Sequence, residues 1–316
     1  MSNLSGEPLT DNRMLFCTRH WSGDNNQENS YLLHFYKVVV PLYILLATTT
    51  TLGNSLILVA LQKESSLHPP SKLLLRSLAV TDLCVGVIAQ PISITLVLSA
   101  LHENWDLCRV AKYSVYVVTV ICSGVSLAVL SAISVDRLLA LLLGLRYRQV
   151  VTVKRVRVIV FLCWLKSCIV GTLYVWSLDA FFIVSGVLIL VEIFVTTYSY
   201  TRIFHTIRRQ QSQVQDTLGT GPKRNTGPNM GRYKKTVFNA LWVHLTLMTC
   251  YVPFAVVTTV IAIRGLRTSL FLAEGIAVSF VYLNSSLNPV LYCWKIKEVR
   301  QAVKETVRHF FACLSI

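Results

Sequence analysis

Seven long apolar stretches constrain this chain more than any other feature of its sequence. They cover residues 38–61, 73–99, 113–135, 158–177, 180–201, 236–263 and 270–293. An α-helix rises about 1.5 Å per residue, so about 20 apolar residues cross the roughly 30 Å hydrocarbon core of a bilayer. Only 14% of the residues are charged, whereas a soluble domain has about 25%. We therefore predict an all-α membrane protein built as a bundle of seven transmembrane helices.

The basic residues are unevenly divided between the two sides of the predicted bundle. Of the 30 lysines and arginines, 22 lie on loops or helix ends after the first, third, fifth and seventh spans. Because cytoplasmic loops are enriched in Lys and Arg, we expect the N-terminus outside and the C-terminus in the cytoplasm of a multi-pass plasma-membrane protein. The net charge of +15 then faces anionic lipid and cytoplasmic partners, which argues against a nucleic-acid function.

The sequence divides into three parts. Residues 1–36 are predicted to form a polar extracellular segment, in which the sequence shows no hydrophobic run typical of a cleaved signal peptide. We predict that 37–294 form the membrane domain and that 295–316 form an interfacial helix and a short tail. In the last part, apolar residues recur every three or four positions between basic ones, which predicts a short amphipathic helix lying on the membrane. Residues 210–231 are rich in Gln, Gly and Pro and are predicted to form a mobile cytoplasmic loop. Leu178 and Asp179 are predicted to make the turn between spans four and five.

Three kinds of covalent modification are suggested by single residues. Asn3 begins an Asn-x-Ser glycosylation sequon on the predicted extracellular side. Cys313 is a candidate for palmitoylation at the end of the interfacial helix, with an unmodified thiol as the equal alternative. Most of the other cysteines fall inside spans, where they behave as small hydrophobic residues. Cys17 and Cys108 face the oxidising side, and our hypothesis is a disulfide between them.

Ionisable groups inside membrane spans are costly and mark function or a compensating partner. Asp82 lies in the middle of the second span. Hydroxyl and amide groups lie at a similar depth in other spans: Asn54, Ser126, Asn284, Ser285 and Asn288. Oxygen ligands of this kind suit a small hard cation such as Na⁺. An Asp that is hydrogen-bonded for packing alone is the alternative.

A second ionisable pair, Lys166 and Glu192, lies at similar depth in spans four and five, which run antiparallel. The two side chains either form a buried ion pair or remain apart, with the lysine reaching toward the interface and the carboxyl protonated. The sequence does not decide between these alternatives.

Polar and helix-breaking residues also mark the ends of other spans. Asp136 and Arg137 end span three, where an acid can hold the guanidinium and the five donors of Arg can bind the carbonyls of a docking partner. The same pair would also serve as an ordinary interface anchor. Pro253 and Pro289 each remove a backbone hydrogen bond from spans six and seven and are predicted to kink them.

Taken in order, these motifs resemble those of the rhodopsin-like (class A) G-protein-coupled receptors over residues 37 to 313. The motifs are Gly53-Asn54, Leu78-Ala79-Val80-Thr81-Asp82, Asp136-Arg137, Trp164, Tyr200, Cys250-Tyr251-x-Pro253 and Asn288-Pro289-x-x-Tyr292. The resemblance implies a seven-helix bundle whose ligand enters from outside and whose cytoplasmic face opens for a heterotrimeric G protein.

The resemblance also implies roles for particular residues. The coupling switch would comprise Asp136, Arg137, Tyr200, Tyr251, Pro253, Asn288, Pro289 and Tyr292. An allosteric sodium site would comprise Asp82, Ser126, Asn284, Ser285 and Asn288. No other cofactor is expected. An enzyme is not expected either, because the histidines form no His-Glu-x-x-His motif and the chain has no phosphate loop.

The chain departs from the family pattern at several positions. Leu138 stands where the family's Asp-Arg-Tyr motif has Tyr. Tyr251 stands where Trp is usual, and Leu247 where Phe is usual. Tyr233 stands where many members carry an acid that locks the arginine, so we expect raised basal signalling. The minimal loop between spans four and five, and Glu192 in place of the fifth-span proline, resemble the melanocortin, adenosine, lysophospholipid and cannabinoid receptor grouping.

The ligand pocket is predicted by offset from these motifs. Thr119 stands where amine receptors need an Asp, and Tyr282 where opsins carry the retinal lysine, so neither ligand is expected. The predicted pocket residues are Tyr116, Thr119, Ser123, Phe254, Thr258, Glu274 and Tyr282. Aromatic and hydroxyl groups with one acid fit a lipid, a nucleoside or a short peptide, and the sequence does not choose among them. Interhelical packing is the alternative at each position.

Two other function classes are open at this point. A small-molecule transporter should show inverted repeats or paired broken helices, and the sequence has no internal repeat. A seven-span receptor that binds its ligand without coupling would have nearly the same sequence features, and Leu138 and Leu247 favour it.

Overall fold

The computed structural model describes Cys17 and residues 26–63, 67–218, 230–264, 268–295 and 297–314. Side-chain environments are described for Cys17, 34–63, 67–209, 245–264, 270, 272–294 and 299–308. The helices are α1 Asn26–Lys63, α2 Pro69–Leu101, α3 Trp105–Leu143, α4 Val153–Trp176, α5 Leu178–Leu218, α6 Met230–Arg264, α7 Thr268–Lys295 and α8 Lys297–Leu314. Seven of them are long and apolar enough to cross a membrane, and these ranges contain no strand. The predicted all-α bundle of seven spans is confirmed.

Three helices begin at residues that favour a helix N-terminus. Pro69 and Pro70 occupy the first turn of α2, where a missing N–H has no effect on the hydrogen bonding. The Asn104 side chain accepts from Leu107 N at 3.2 Å and begins α3. Thr152 caps α4 in the same way.

The turn between α4 and α5 is made by Ser177 and not by Leu178 and Asp179. Ser177 has an extended backbone, with φ −152° and ψ 112°, and α5 begins at the next residue. Its hydroxyl accepts a hydrogen bond from Ala180 N at 3.3 Å. The turn therefore lies one residue earlier than predicted, because the Ser177 side chain caps α5 and no separate loop is needed.

Two predicted boundaries differ from the helix ends. α5 continues to Leu218, so the first nine residues of the predicted loop 210–231 are helical. The stretch is rich in Gln and has no Gly or Pro before residue 219, so nothing in its sequence stops the helix. α1 begins at Asn26, within the segment 1–36 that was predicted to lie outside the membrane domain.

α3 lies at the centre of the bundle. It packs against α2, α4 and α5. Of the other helices, α1 packs against α7, α7 against α6, and α6 against α5. α8 packs against α1 and α7 and buries Val299 and Ala302. Large apolar side chains such as Phe161, Phe194 and Val290 remain exposed on the outside, as a lipid-facing surface requires.

Local irregularities bring polar groups together inside the bundle. Gly53 permits a close approach of α1 to α7, because a Cβ there would lie 2.9 Å from Pro289 Cγ. A π-helical turn, Val85–Ala89, interrupts α2 between Asp82 and Pro91. Such turns commonly occur at functional sites in helices, and no motif in the sequence predicted this one.

Candidate functional site

Two cavities lie between the described helices of the bundle. The α1–α2 cavity, of about 690 Å³, is lined by residues of α1, α2, α3, α6 and α7. The α4–α5 cavity, of about 590 Å³, is lined by residues of α3, α4, α5, α6 and α7. Both cavities are lined by Thr119, Val120, Phe254 and Val278, so they adjoin each other.

Six of the seven predicted pocket residues line these cavities. Tyr116, Glu274 and Tyr282 line the α1–α2 cavity, and Ser123 lines the α4–α5 cavity. Thr119 and Phe254 line both.

Thr258 lines neither cavity. Its hydroxyl donates to Phe254 O at 2.8 Å and to Ala255 O at 3.0 Å, within its own helix. An offset counted along a helix does not fix the direction of the side chain. A threonine can satisfy its hydroxyl on a carbonyl one turn earlier instead of facing a cavity.

Glu274 is the acid of the α1–α2 cavity. Its side chain is 3% exposed, and its Oε2 accepts a hydrogen bond from the Tyr116 hydroxyl at 2.6 Å. Its Oε1 is buried and has no hydrogen-bond partner among the described residues. The Tyr116 ring is held in place by stacking on Tyr174, with ring centroids 4.5 Å apart and 5° between the planes. The cavity therefore presents one free acceptor beside an aromatic wall.

A chain of hydroxyl groups also lines the same cavity. The Tyr282 hydroxyl lies 2.7 Å from Ser93 Oγ and 2.8 Å from Thr119 Oγ1. The Tyr43 ring meets the Tyr282 ring edge-on at 5.3 Å. Ser93 and Tyr43 were not predicted, because α1 and α2 carry no motif that points to the cavity.

The α4–α5 cavity contains the charged pair whose pairing the sequence left open. Lys166 Nζ donates to Glu192 Oε1, and the two side chains are 30% and 14% exposed. Both line the cavity together with Ser123 and Ser167, whose buried hydroxyls have no hydrogen-bond partner among the described residues. An ion pair and two unsatisfied hydroxyls thus share one apolar enclosure.

Asp82 lies at the centre of a buried polar cluster. Its side chain is fully buried, and its Oδ1 accepts from Ser126 Oγ and from Ser285 Oγ, both at 2.8 Å. Its Oδ2 accepts from Asn288 Nδ2 at 2.7 Å. The buried Asn284 side chain makes no hydrogen bond to this carboxylate, and its Nδ2 has no partner among the described residues. Three of the four residues predicted to surround Asp82 therefore contact it.

The oxygen atoms of this cluster are of the kind that bind a sodium ion. A carboxylate, two hydroxyl oxygens and the amide groups of Asn284 and Asn288 offer the hard oxygen ligands that such a cation prefers. The amide of Asn54 adds a further oxygen: its Nδ2 donates to Ser285 O at 3.1 Å, while its buried Oδ1 has no partner among the described residues.

Asp136 does not hold Arg137, contrary to the predicted pairing. The buried Asp136 carboxylate accepts from Ser71 Oγ at 2.9 Å and from the Tyr147 hydroxyl at 2.7 Å. Arg137 is exposed, and no ion pair joins it to Asp136. The reason is geometric, since consecutive residues on a helix point in directions about 100° apart and do not face each other. No motif in the sequence marked Ser71 or Tyr147, which lies in the short helix Tyr147–Val150.

The remaining predicted switch residues lie along α5, α6 and α7. Tyr251 donates to Ser123 O at 3.4 Å, and Pro253 lies inside α6. Tyr292 is buried, its hydroxyl has no hydrogen-bond partner among the described residues, and Tyr200 is half-buried on α5. The backbones of Tyr233 and Cys313 lie in α6 and α8, but their side chains lie outside the described part, as does Asn3.

A disulfide joins Cys17 to Cys108 at the start of α3. The Cα atoms are 5.7 Å apart, and both cysteines are fully buried. They pack in one apolar cluster with Tyr36, Val97 and Val115, which also line the α1–α2 cavity. The bond therefore fixes the position of Cys17 beside the wall of that cavity.

Substituting Cys17 or Cys108 by Ser should destabilise the protein by about 2–4 kcal/mol, because the bond closes a loop of 91 residues. The melting temperature of the detergent-purified protein should fall equally for both single variants and for the double variant. Cys168→Ser, which removes an exposed thiol that makes no disulfide, is the matched control. Additive losses from the two single substitutions would contradict the bond.

The comparisons with known proteins agree with this geometry. The family described as 7 transmembrane receptor (rhodopsin family) matches residues 53–181 and 172–292 of the chain. Adenosine receptor A3 of Ovis aries is 28% identical over 290 residues, covering 83% of this chain and 87% of the relative. Adenosine receptor A3 of Canis lupus familiaris is 26% identical over 302 residues, covering 87% and 92%. The corresponding receptor of Bos taurus is 26% identical over 294 residues, covering 83% and 87%. Because the family model matches most of the chain and seven of the described helices can cross a membrane, this chain belongs to the rhodopsin family of seven-transmembrane, G-protein-coupled receptors.

Proposed function

We propose that this receptor binds a nucleoside in the two adjoining cavities and passes the signal to a heterotrimeric G protein. The observation that carries the proposal is the free acceptor of Glu274 in a cavity walled by aromatic rings and hydroxyl groups. The similarity to adenosine receptors supports the same ligand class.

The chemistry of a nucleoside matches this lining. A planar base needs an aromatic surface and an acceptor for its N–H groups, which Tyr116 and Glu274 supply. Sugar hydroxyls need partners that both donate and accept, and Thr119 and Tyr282 are of that kind. A purely apolar lipid would leave the buried Glu274 Oε1 without a partner, which costs about 1–3 kcal/mol.

A panel of nucleosides tests the ligand class. We expect adenosine or another purine nucleoside to raise G-protein activation in membranes that carry the receptor. Glu274→Gln should weaken its potency about tenfold or more, because a hydrogen bond to a charged acceptor contributes about 1.5–3 kcal/mol. Asp179→Asn, at an exposed acid on α5, is the control. No response to any nucleoside, or an unchanged potency in Glu274→Gln, would contradict the proposal.

We propose the Asp82 cluster as an allosteric sodium site. Asp82, Ser126, Asn284, Ser285 and Asn288 would hold the ion. A bound sodium ion would supply the positive charge that balances the carboxylate. The chain's own contribution is to keep Asp82 buried and oriented by three hydrogen bonds from α3 and α7.

The docking surface for the G protein is proposed at the end of the bundle that carries Asp136 and Arg137. Ser71 and Tyr147 hold the Asp136 carboxylate, which leaves the exposed Arg137 guanidinium available for a partner. Its five N–H donors suit the free carbonyls at the end of a docking helix. Tyr200, Tyr251, Pro253, Asn288, Pro289 and Tyr292 are proposed to transmit the rearrangement from the cavities to this end.

The proposed orientation has the N-terminus outside and the C-terminus in the cytoplasm of the plasma membrane. Asn3 would then be available for glycosylation, and Cys313 for a palmitoyl chain that anchors α8 in membrane lipid.

Arg137→Ala should abolish ligand-stimulated G-protein activation while ligand binding persists, because the guanidinium is proposed to contact only the G protein. Nucleotide exchange on the G protein, measured beside saturation binding, separates the two effects. Arg157→Ala removes another exposed arginine, at the start of α4, and should leave both unchanged. Full activation by Arg137→Ala would contradict the proposed contact between this residue and the G protein.

A further inference from the structure

The α4–α5 cavity contains polar groups that the proposed switch and sodium site do not use. Lys166 and Glu192 line it as an ion pair, and Ser123 and Ser167 add buried hydroxyls without partners among the described residues. Ser123 is 7% exposed and Ser167 is 2% exposed, so water outside the protein does not satisfy them. Buried polar groups without partners are uncommon and call for a ligand or an ordered water.

The cavity provides both donors and acceptors. An ammonium has three N–H donors and a carboxylate accepts at two oxygens, so the single contact between Lys166 and Glu192 leaves capacity on both. A hydroxyl both donates and accepts. Gly124 keeps the space beside Ser167 open, because a Cβ there would lie 3.0 Å from Ser167 Oγ.

The ion pair also determines which charge the cavity accepts. A ligand group with a single net charge would bind one member of the pair and leave the other without a counter-charge. Breaking this partly buried pair is unfavourable, because it leaves one charge inside the bundle without a partner. An uncharged group that donates and accepts can instead bridge the pair and the two hydroxyls without separating the charges.

We propose that the α4–α5 cavity is a ligand subsite for an uncharged group that carries both a donor and an acceptor, such as an amide or a hydroxyl pair. Lys166 and Glu192 determine its specificity by rejecting groups of net charge. This deepens the proposed function and rests on it, since it describes one end of the ligand that the receptor would bind.

Charge-selective thiol labelling tests the subsite without any nucleoside, so its failure is separate from that of the proposed function. A thiol is introduced into the full-length receptor by Ser167→Cys. Its rates of modification by a neutral, a cationic and an anionic methanethiosulfonate reagent are measured by mass spectrometry. The thiolate forms a disulfide with the reagent and releases methanesulfinate. Each rate is divided by that of the same reagent with a free thiol in solution.

The matched control is Val97→Cys, which places a thiol on the wall of the α1–α2 cavity, away from the ion pair. We expect the preference for the neutral reagent to be at least about tenfold greater at Ser167→Cys than at Val97→Cys, because charges act strongly through a low effective dielectric. Adding Glu192→Gln should raise the anionic reagent's relative rate at Ser167→Cys about tenfold and leave the Val97→Cys rates unchanged.

If Glu192→Gln does not fold, a second variant can be measured in its place. The exchanged pair, Lys166→Glu with Glu192→Lys, keeps the charges balanced and should keep the preference for the neutral reagent. Equal selectivity at the two thiols would overturn the proposal. So would unchanged selectivity in a folded Glu192→Gln variant, or loss of selectivity in the exchanged pair.

Discussion

Replacing either Lys166 or Glu192 by Met should destabilise the receptor by up to about 3–5 kcal/mol, the cost of breaking a fully buried pair, whereas replacing both should recover most of that loss. Each single variant leaves one charge inside the bundle without its partner. The double variant removes both charges and replaces the ion pair with an apolar contact of similar volume between α4 and α5. Buried ion pairs replaced by apolar side chains are commonly neutral or more stable.

The measurement is thermal unfolding of the detergent-purified receptor, with surface expression as a second readout. The interaction energy is the difference between the double variant and the sum of the single variants, and it should be large because the two side chains are in contact. Lys304→Met and Glu305→Met, at exposed positions of α8, are the matched controls. Losses that simply add in the double variant would mean that the two side chains do not depend on each other.

The spans were predictable because their signal is local. About 20 apolar residues in succession satisfy the length of a bilayer whatever their neighbours are. Errors occurred where a polar side chain changed the local ending, as at Ser177, whose hydroxyl caps α5 and replaces the predicted turn. The extension of α5 to Leu218 was missed because a polar composition was interpreted as a loop, although Gln is compatible with a helix.

The candidate site was only partly predictable, because hydrogen-bond partners come from helices that are distant in sequence. Offsets from the motifs pointed to Thr119 and Tyr282, whose hydroxyl groups meet in one cavity. They also pointed to Thr258, whose hydroxyl bonds to its own helix and which lines neither cavity. The partners of Asp136 are a serine on α2 and a tyrosine in a short helix, and neither belongs to a motif. The ion pair on α4 and α5 was anticipated as one alternative, but only the packed helices decide it.

Substituting Asp82 is the second change for which we expect a large effect. Asp82→Ala removes the acceptor of three buried donors, those of Ser126, Ser285 and Asn288. A buried donor left unpaired costs about 1–3 kcal/mol, so we expect a loss of at least about 3 kcal/mol in the free energy of unfolding. Asp82→Asn retains one acceptor oxygen and the side-chain volume, and should therefore lose less.

Asp82→Ala and Asp82→Asn should both lose the stabilisation of the folded receptor by sodium. A ligand that binds only the folded state stabilises it according to its concentration and affinity. The unsubstituted receptor should therefore melt at a higher temperature in sodium chloride than in potassium chloride of equal ionic strength. Neither variant should show that difference, because the negative charge that attracts the cation is gone.

Thr81→Val is the matched control for both measurements. Thr81 is buried beside Asp82 in sequence, but its hydroxyl donates to Leu78 O at 2.9 Å and not to the cluster. It should keep the difference between sodium and potassium. If Asp82→Asn also kept it, the cluster would be a packing arrangement without an ion. If both variants lost it while nucleoside-stimulated activation in Asp82→Asn remained sensitive to sodium, the ion would act at another place in the bundle.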